Sequence, residues 1–372
     1  MPVSAPFRVA FRADASLQIG TGHVMRCLTL ADHLRDLGAE TIFLARPHAG
    51  NLLDLVDQRG HIALALPARE PVEATSPEDP VHSSWLGGTW NEDAQSCIHT
   101  LKQHLNGTCV DWLVVDHYAL DVRWEISMRS VCRKILAIDD LADRRHDCDV
   151  LLDQNLGRTV ADYRGLAPDQ ALLLIGPHFA LLRPEFGRLR ETSLSRRTEP
   201  EIKRLLITMG GVDRDNATGL ILEALSQVAL PPDMTIDVVL GPHAPWLEHV
   251  RAKARKTGRP TQVLAGVDNM AHLMCGSDLA IGAAGSTSWE RCCLGLPSIT
   301  LILAENQTEI ANALQRSDAT ILAKSVDAIS GLLKRHFYSS DALKTLSDLG
   351  RHAALICDGN GAERVANHLK IG

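Results

Sequence analysis

Residues 8–38 read RVAFRADASLQIGTGHVMRCLTLADHLRDLG, and the three-part pattern of this stretch sets the fold class. Arg8–Phe11 is a short run without polar alternation, as a parallel strand covered on both faces requires. Gly20-Thr21-Gly22-His23 is a glycine-rich turn. Val24, Cys27, Leu28, Ala31 and Leu34 then recur at helical spacing, and Gly38 stands where a helix end favours glycine. Strand, tight turn and helix in this order make the first half of a βαβ unit.

The alternation continues along the chain. Further strands are expected at Thr41–Ala45, Trp112–Val115, Ile135–Ile138, Val150–Leu152 and Leu172–Ile175. After an interruption they resume at Arg204–Thr208, Thr235–Leu240, Gln262–Ala265, Leu279–Ile281 and Ser298–Ile302. The pattern predicts an α/β protein with doubly wound parallel sheets. The interruption, 187–203, reads GRLRETSLSRRTEPEIK, polar and without apolar period. It is expected as a linker between an N-terminal domain, 1–190, and a C-terminal domain, 203–372. Pro67–Asp93 carries four prolines and reads as a long surface excursion. Asp358–Leu369 is expected to form a short terminal helix.

Composition narrows the function classes. The 372 residues include 38 Lys and Arg against 45 Asp and Glu, a net charge of −7 without a basic block, which disfavours a nucleic-acid polymer as partner. With three Tyr, six Phe and six Trp, an extended stacking platform for bases or polysaccharide is not expected. No apolar run reaches the ~20 residues of a spanning helix, so no membrane partner is expected. Residues 1–11 show no signal-peptide pattern, and nine Cys without a CxxC pair suit reduced thiols packed in cores. A cytoplasmic location is expected by default.

Several strand ends carry chemistry-bearing residues. His23 falls at a helix N-terminus, where the dipole favours the neutral imidazole and hence a general base; a half-exposed cap is the plainer alternative. Val115-Asp116-His117-Tyr118 ends a strand, where Asp116 either orients a catalytic group or caps the next helix. Asp139 and Asp140 recur in the same position, with Arg144 or Arg145 as alternative ion-pair partners. Met209-Gly210-Gly211 and Gly285-Ser286-Thr287 are strand-to-helix turns of phosphate-cradling type. Glu290 suits the vicinal hydroxyls of a ribose, although Ser286 or Thr287 with Glu290 also fits a capping box. Asn306 and Gln307 suit sugar hydroxyls or an acetamido group. His99-x4-His104 and Asp147-Cys148-Asp149 make poor metal motifs, and neither metal nor cofactor is expected.

Taken in order, these segments resemble one family. They are Arg12–His23, Val115–Tyr118, Ile138–Asp140, Asp153–Asn155, Phe179–Phe186, Met209–Asp213, Ala284–Glu290, Leu294–Pro297, Glu305–Gln307 and the tail Asp358–Ala366. The family is the UDP-2,4-diacetamido-2,4,6-trideoxy-β-L-altropyranose hydrolases of pseudaminic acid biosynthesis, and the resemblance runs from about residue 7 to Ala366. It implies a glycosyltransferase-B-like fold, two Rossmann-like domains facing across a cleft, and metal-independent hydrolysis at the anomeric carbon with inversion. It assigns His23 as general base and Tyr118 as a catalytic-site residue. Met209, Gly210, Gly211, Gly285, Ser286, Thr287 and Glu290 would hold UDP, and Arg12, Asp14, Gly22, Asn306 and Gln307 the sugar. The expected partners are a UDP-sugar and water, with the protein a monomer. A glycosyltransferase using a UDP-sugar donor is the alternative.

Overall fold

The computed structural model describes residues 6–68, 76, 78–228, 230–231 and 233–371. The chain forms two units, one comprising the chain to Leu181 together with the segment from Gly361, the other Leu182–Asn360.

The first unit holds seven strands: β1 (Arg8–Ala13), β2 (Glu40–Ala45), β3 (Ile62–Ala65), β4 (Val110–Asp116), β5 (Cys132–Ile138), β6 (Val150–Asp153) and β7 (Leu172–Ile175). All pairings are parallel, in the order β3-β2-β1-β4-β5-β6-β7. The second holds β8 (Arg204–Thr208), β9 (Thr235–Leu240), β10 (Thr261–Ala265), β11 (Leu279–Ala283), β12 (Ser298–Leu301) and β13 (Ile321–Ala323). It is also wholly parallel, in the order β10-β9-β8-β11-β12-β13. Both are the 3-2-1-4-5-6 order of a Rossmann-like unit, extended in the first by β7. The central strands are mainly apolar because helices cover both faces: Val9, Ala10, Phe11 and Ala13 are fully buried, and Arg12 is the buried charge among them. The strands that escaped sequence reading, β3 and β13, are short edge strands with part-exposed residues.

Chain reversal places the switch points between β1 and β4 and between β8 and β11, and ligands of such sheets bind beyond the strand ends there. Every glycine-rich turn singled out above lies at one of these two points.

Two boundaries differ from expectation. The stretch expected as a linker is largely a helix, Pro184–Arg196, opened by a proline at its first position. It lacks an apolar period because arginines do much of its docking. Arg190 donates to the carbonyls of Cys293, Ala354 and Cys357, and Arg197 to those of Met274, Ser277 and Leu294. The terminal helix, Gly361–Ile371, belongs to the first unit rather than the second. Its buried Ala362, Val365, Ala366 and Leu369 pack in one core with Val9, Phe11 and Leu28. Trp112 Nε1 closes the contact by donating to the Leu369 carbonyl at 2.8 Å.

The nine cysteines are free thiols, eight buried and Cys109 exposed. Among the described residues, no helix is long and apolar enough to cross a membrane. Pro67–Asp93 lies partly outside the described residues. Its later part holds a 3-10 turn, Ser83–Leu86, and the start of the helix Trp90–His104.

A Cβ at Gly361 would stand 2.3 Å from the Ala180 carbonyl oxygen and 2.5 Å from the Phe179 carbonyl carbon, backbone atoms that cannot swing aside. Gly361→Ala is therefore expected to destabilise the first unit by about 1–3 kcal/mol, the usual range for overpacking. Hydrogen exchange of the terminal helix and the melting temperature read this out; unchanged protection there would show that the helix docks more loosely than described.

Candidate active site

At the first switch point the register sets Ala13 beside Asp116. The turn after β1 uses Gly20 at φ +82°, a left-handed conformation that glycine adopts without strain. It delivers the helix Gly22–Asp36, in which His23 is the second residue and no side chain caps the free N–H groups. His23 Nδ1 lies 2.6 Å from Asp116 Oδ1. Since an ionised carboxylate only accepts, Nδ1 carries the proton and Nε2 is the basic nitrogen.

Asp116 is fully buried and receives more than the imidazole. Arg26, one helical turn beyond His23, donates to it from Nε at 2.6 Å and Nη2 at 2.7 Å, and Cys27 Sγ lies at 3.6 Å. Burial alone would push this carboxyl up. The Arg26 charge, His23 and their hydrogen bonds outweigh it and hold Asp116 far below the ordinary carboxylate range. Arg26 also bonds Asp140 at 2.6 Å, which in turn accepts from the Tyr118 hydroxyl at 2.9 Å. Burial and the Asp140 charge push the Tyr118 phenol well up, so it stays protonated. Its ring meets His23 edge-on, with centroids 4.6 Å apart. Asp139, by contrast, pairs with Arg144 at 2.8 Å.

Arg12 and Asp14 sit beneath this group with no exposure. Arg12 bonds Asp14 at 2.6 Å and Asp93 at 2.8 Å; Arg46 bonds Asp93 at 2.7 Å and donates its backbone N–H to Asp14. Two arginines and two aspartates thus balance in the interior. Breaking one partner of such a cluster costs about 3–5 kcal/mol. Asp14 also lies 3.3 Å from His117 Nε2. Both residues are spent on each other and on the strand ends, a placement that suits support better than sugar contact. Asp153-Gln154-Asn155 is likewise internal: Gln154 accepts the Leu181 N–H and Asn155 bonds the Asp140 carbonyl.

At the second switch point, Met209 is buried while Gly210 (φ +96°) and Gly211 are exposed. A Cβ at Gly241 would come within 2.4 Å of the Gly211 carbonyl oxygen, so the two turns pack backbone to backbone. The helix that follows, Ala217–Ser226, is not a free anion site, contrary to its cradle-like sequence. Asp213 spends its carboxylate on the N–H groups of Ala217 and Thr218 at 2.9 and 3.0 Å.

The Gly285-Ser286-Thr287 turn behaves differently. Ser286 is exposed and makes no cap hydrogen bond, so the capping-box alternative does not form. Support comes from below, from Arg291, which is buried and donates to the Ala283 carbonyl and the Ser288 and Thr287 hydroxyls. A Cβ at Gly282 would reach 2.4 Å from Arg291 Nη1, which explains the glycine. Glu290 is pushed up to about 7 by burial, against the opposing charges of Arg183, 3.9 Å away, and Arg291. Asn306 is exposed, and Gln307 accepts the Leu303 N–H at 2.9 Å.

Sequence reasoning missed Arg26, Asp93, Arg46, Gly241, Gly282 and Arg291. Only Arg26 left a usable signal, the i, i+3 spacing from His23.

No family model matches the chain. It is 28% identical over 319 residues to the UDP-2,4-diacetamido-2,4,6-trideoxy-β-L-altropyranose hydrolase of Campylobacter jejuni, covering 85% of this chain and 96% of that one. An uncharacterized Methanocaldococcus jannaschii protein is 24% identical over 306 residues, 81% of this chain, which spans 57% of that protein's length. The spore coat polysaccharide biosynthesis protein SpsG of Bacillus subtilis is 29% identical over 146 residues, 39% of this chain and 42% of that one. Among solved structures, Acinetobacter baumannii MurG superposes with a TM-score of 0.69 at 17% identity, covering 99% of this chain and all of that one. The calicheamicin glycosyltransferase CalG4 gives 0.61 at 12%, covering 98% of each chain. The fold is thus the glycosyltransferase-B-like α/β fold of two Rossmann-like units, and across most of its length the chain resembles the Campylobacter hydrolase.

Proposed function

We propose that the chain is an enzyme acting on UDP-sugars, and specifically a hydrolase. Its substrate would be a UDP-linked 2,4-diacetamido-2,4,6-trideoxy sugar, cleaved at the anomeric carbon–oxygen bond with inversion in pseudaminic acid biosynthesis. The observation that carries this reading is the His23–Asp116 contact at the first switch point, which supports it by supplying a base with its proton on the correct nitrogen.

Water attacks the anomeric carbon as His23 Nε2 takes its proton. The carbon–oxygen bond to the diphosphate breaks, and its electron pair leaves with UDP. Asp116 stabilises the imidazolium that forms, as a buried carboxylate partner does. Charge growing on UDP is met by backbone N–H groups of the Gly210-Gly211 and Gly285-Ser286-Thr287 turns and by the Ser286 and Thr287 hydroxyls. These donors supply the stabilisation without a metal. Met209 underlies the first turn, and Glu290 accepts from the ribose hydroxyls. Gly22, Asn306 and Gln307 are assigned to the sugar. Arg12 and Asp14 serve as positioning residues, and Tyr118 packs His23 into place.

Three outcomes are expected. His23→Asn should lower kcat by on the order of 10²–10⁴, the usual contribution of a general base, with UDP affinity nearly retained; near-normal turnover removes His23 from this role. Hydrolysis in oxygen-18 water with EDTA present should leave UDP unlabelled, because the carbon–oxygen bond breaks. Label in UDP places the cleavage at phosphorus, no turnover in EDTA ends the metal-free mechanism, and sugar moved to an added acceptor identifies a transferase.

The third concerns pH. With a carboxyl near 7, Glu290 is ionised above that value and accepts both ribose hydroxyls only there. UDP affinity should therefore rise roughly tenfold from pH 6 to pH 8 relative to Glu290→Gln, which shares the titration of UDP itself. Parallel profiles for the two proteins would detach Glu290 from the ribose.

A further inference from the structure

The segment left without a role by sequence reading carries the observation that goes furthest. His82 stands at the N-cap of, and Trp85 lies within, a single 3-10 turn, Ser83–Leu86, where side chains three apart eclipse. Their rings lie 4.3 Å apart, centroid to centroid. Both also meet Tyr118, His82 at 5.5 Å and Trp85 at 5.9 Å with the two rings nearly stacked. Tyr118 is the residue whose ring packs on His23. Three rings in a chain poor in aromatics therefore gather within one side chain of the base.

The turn is anchored on both sides. Leu86 is buried, Gly87 ends the turn at φ 64°, and Thr89 with Glu92 forms a capping box that starts the next helix. Arg123 bonds Asp79 at 3.2 Å on the upstream side. Trp85 nonetheless stays part-exposed. Burial, with Arg144 and His23 near and against the Asp143 charge, holds the His82 imidazole below its ordinary value, so near pH 7 it stacks as a neutral ring.

We propose that the part-exposed rings of His82 and Trp85, backed by the buried Tyr118, form an aromatic wall that recognises the apolar, 6-deoxy face of the sugar whose anomeric carbon is attacked beside His23. The inference rests on the hydrolase reading and deepens it. A base that activates water for the anomeric carbon must have the sugar ring next to it, and this wall adjoins that base. A methyl-bearing ring face suits an aromatic surface, whereas a 6-hydroxyl placed there loses hydrogen bonds to water.

The test compares full-length wild type, Trp85→Ala and Trp85→Phe on UDP-2,4-diacetamido-2,4,6-trideoxyhexose, UDP-N-acetylglucosamine and UDP. Wild type should favour the 6-deoxy substrate in kcat/KM. Trp85→Ala should reduce that preference about tenfold, chiefly through KM, with UDP affinity unchanged. Trp85→Phe should recover most of it. Unchanged preference in Trp85→Ala overturns the wall, and so does equal loss in both variants. If wild type releases UDP from neither sugar, the hydrolase reading fails and equilibrium binding decides the wall alone. A gain of the 6-deoxy UDP-sugar over UDP that disappears in Trp85→Ala sustains it, and no such difference overturns it.

Discussion

A carboxylate with no exposure, at the end of a central strand, has to be supplied with donors, and the first unit is arranged around that requirement. Asp116 is ionised because Arg26 and His23 both reach it. An isolated charge in that position would neutralise instead. The need explains why a glycine turn must start the helix where it does: only then do positions 23 and 26 fall on the face that meets β4. His23 thereby gains a fixed tautomer, and Tyr118 and Asp140 are drawn in through Arg26. Orientation of the base is a by-product of satisfying the acid.

The two units handle charge differently at their switch points. In the first, formal charges are buried and paired, with Arg12, Asp14, Arg46 and Asp93 forming a neutral quartet under the strand ends. In the second, the Gly210-Gly211 turn is shaped by backbone, with Gly241 against Gly211, while the buried Arg291 braces the Gly285-Ser286-Thr287 turn through hydrogen bonds. Turns of this kind present N–H dipoles without adding positive side chains at the surface. On the proposed function, a chain of net charge −7 holds its anion through such peptide donors rather than lysines.

The fold was legible to the extent that it rests on period and composition. Unalternating runs located the central strands closely, because burial on both faces leaves a continuous apolar signature; the edge strands Ile62–Ala65 and Ile321–Ala323 are apolar too, but at four and three residues they are too short to stand out. The helix Pro184–Arg196 looked like a linker because it is anchored by guanidinium-to-carbonyl bonds, which have no apolar period. In the site, residues on conspicuous glycine turns were readable, while their supports were not. Asp93 meets Arg12 from 81 positions away, and no local pattern encodes such a pairing. The self-capped helix after Asp213 and the uncapped one after Ser286 share similar sequence signatures. The left-handed backbone of Asp213, φ +45°, and of the N-cap Asn216, φ +55°, with the reach of the Asp213 carboxylate, separates them.

The terminal helix has a consequence for how the protein is made. Leu182–Asn360 is an insertion between two pieces of the first unit, whose core stays open until Ala362, Val365, Ala366 and Leu369 arrive. Domains generally fold as units during synthesis, and a unit can close its core only once all of its chain has emerged. The unit that begins first thus finishes last, and through synthesis of the whole insertion it carries an apolar gap alongside β1 and the helix Gly22–Asp36. A chain truncated before Gly361 would present that gap beside a second unit already complete.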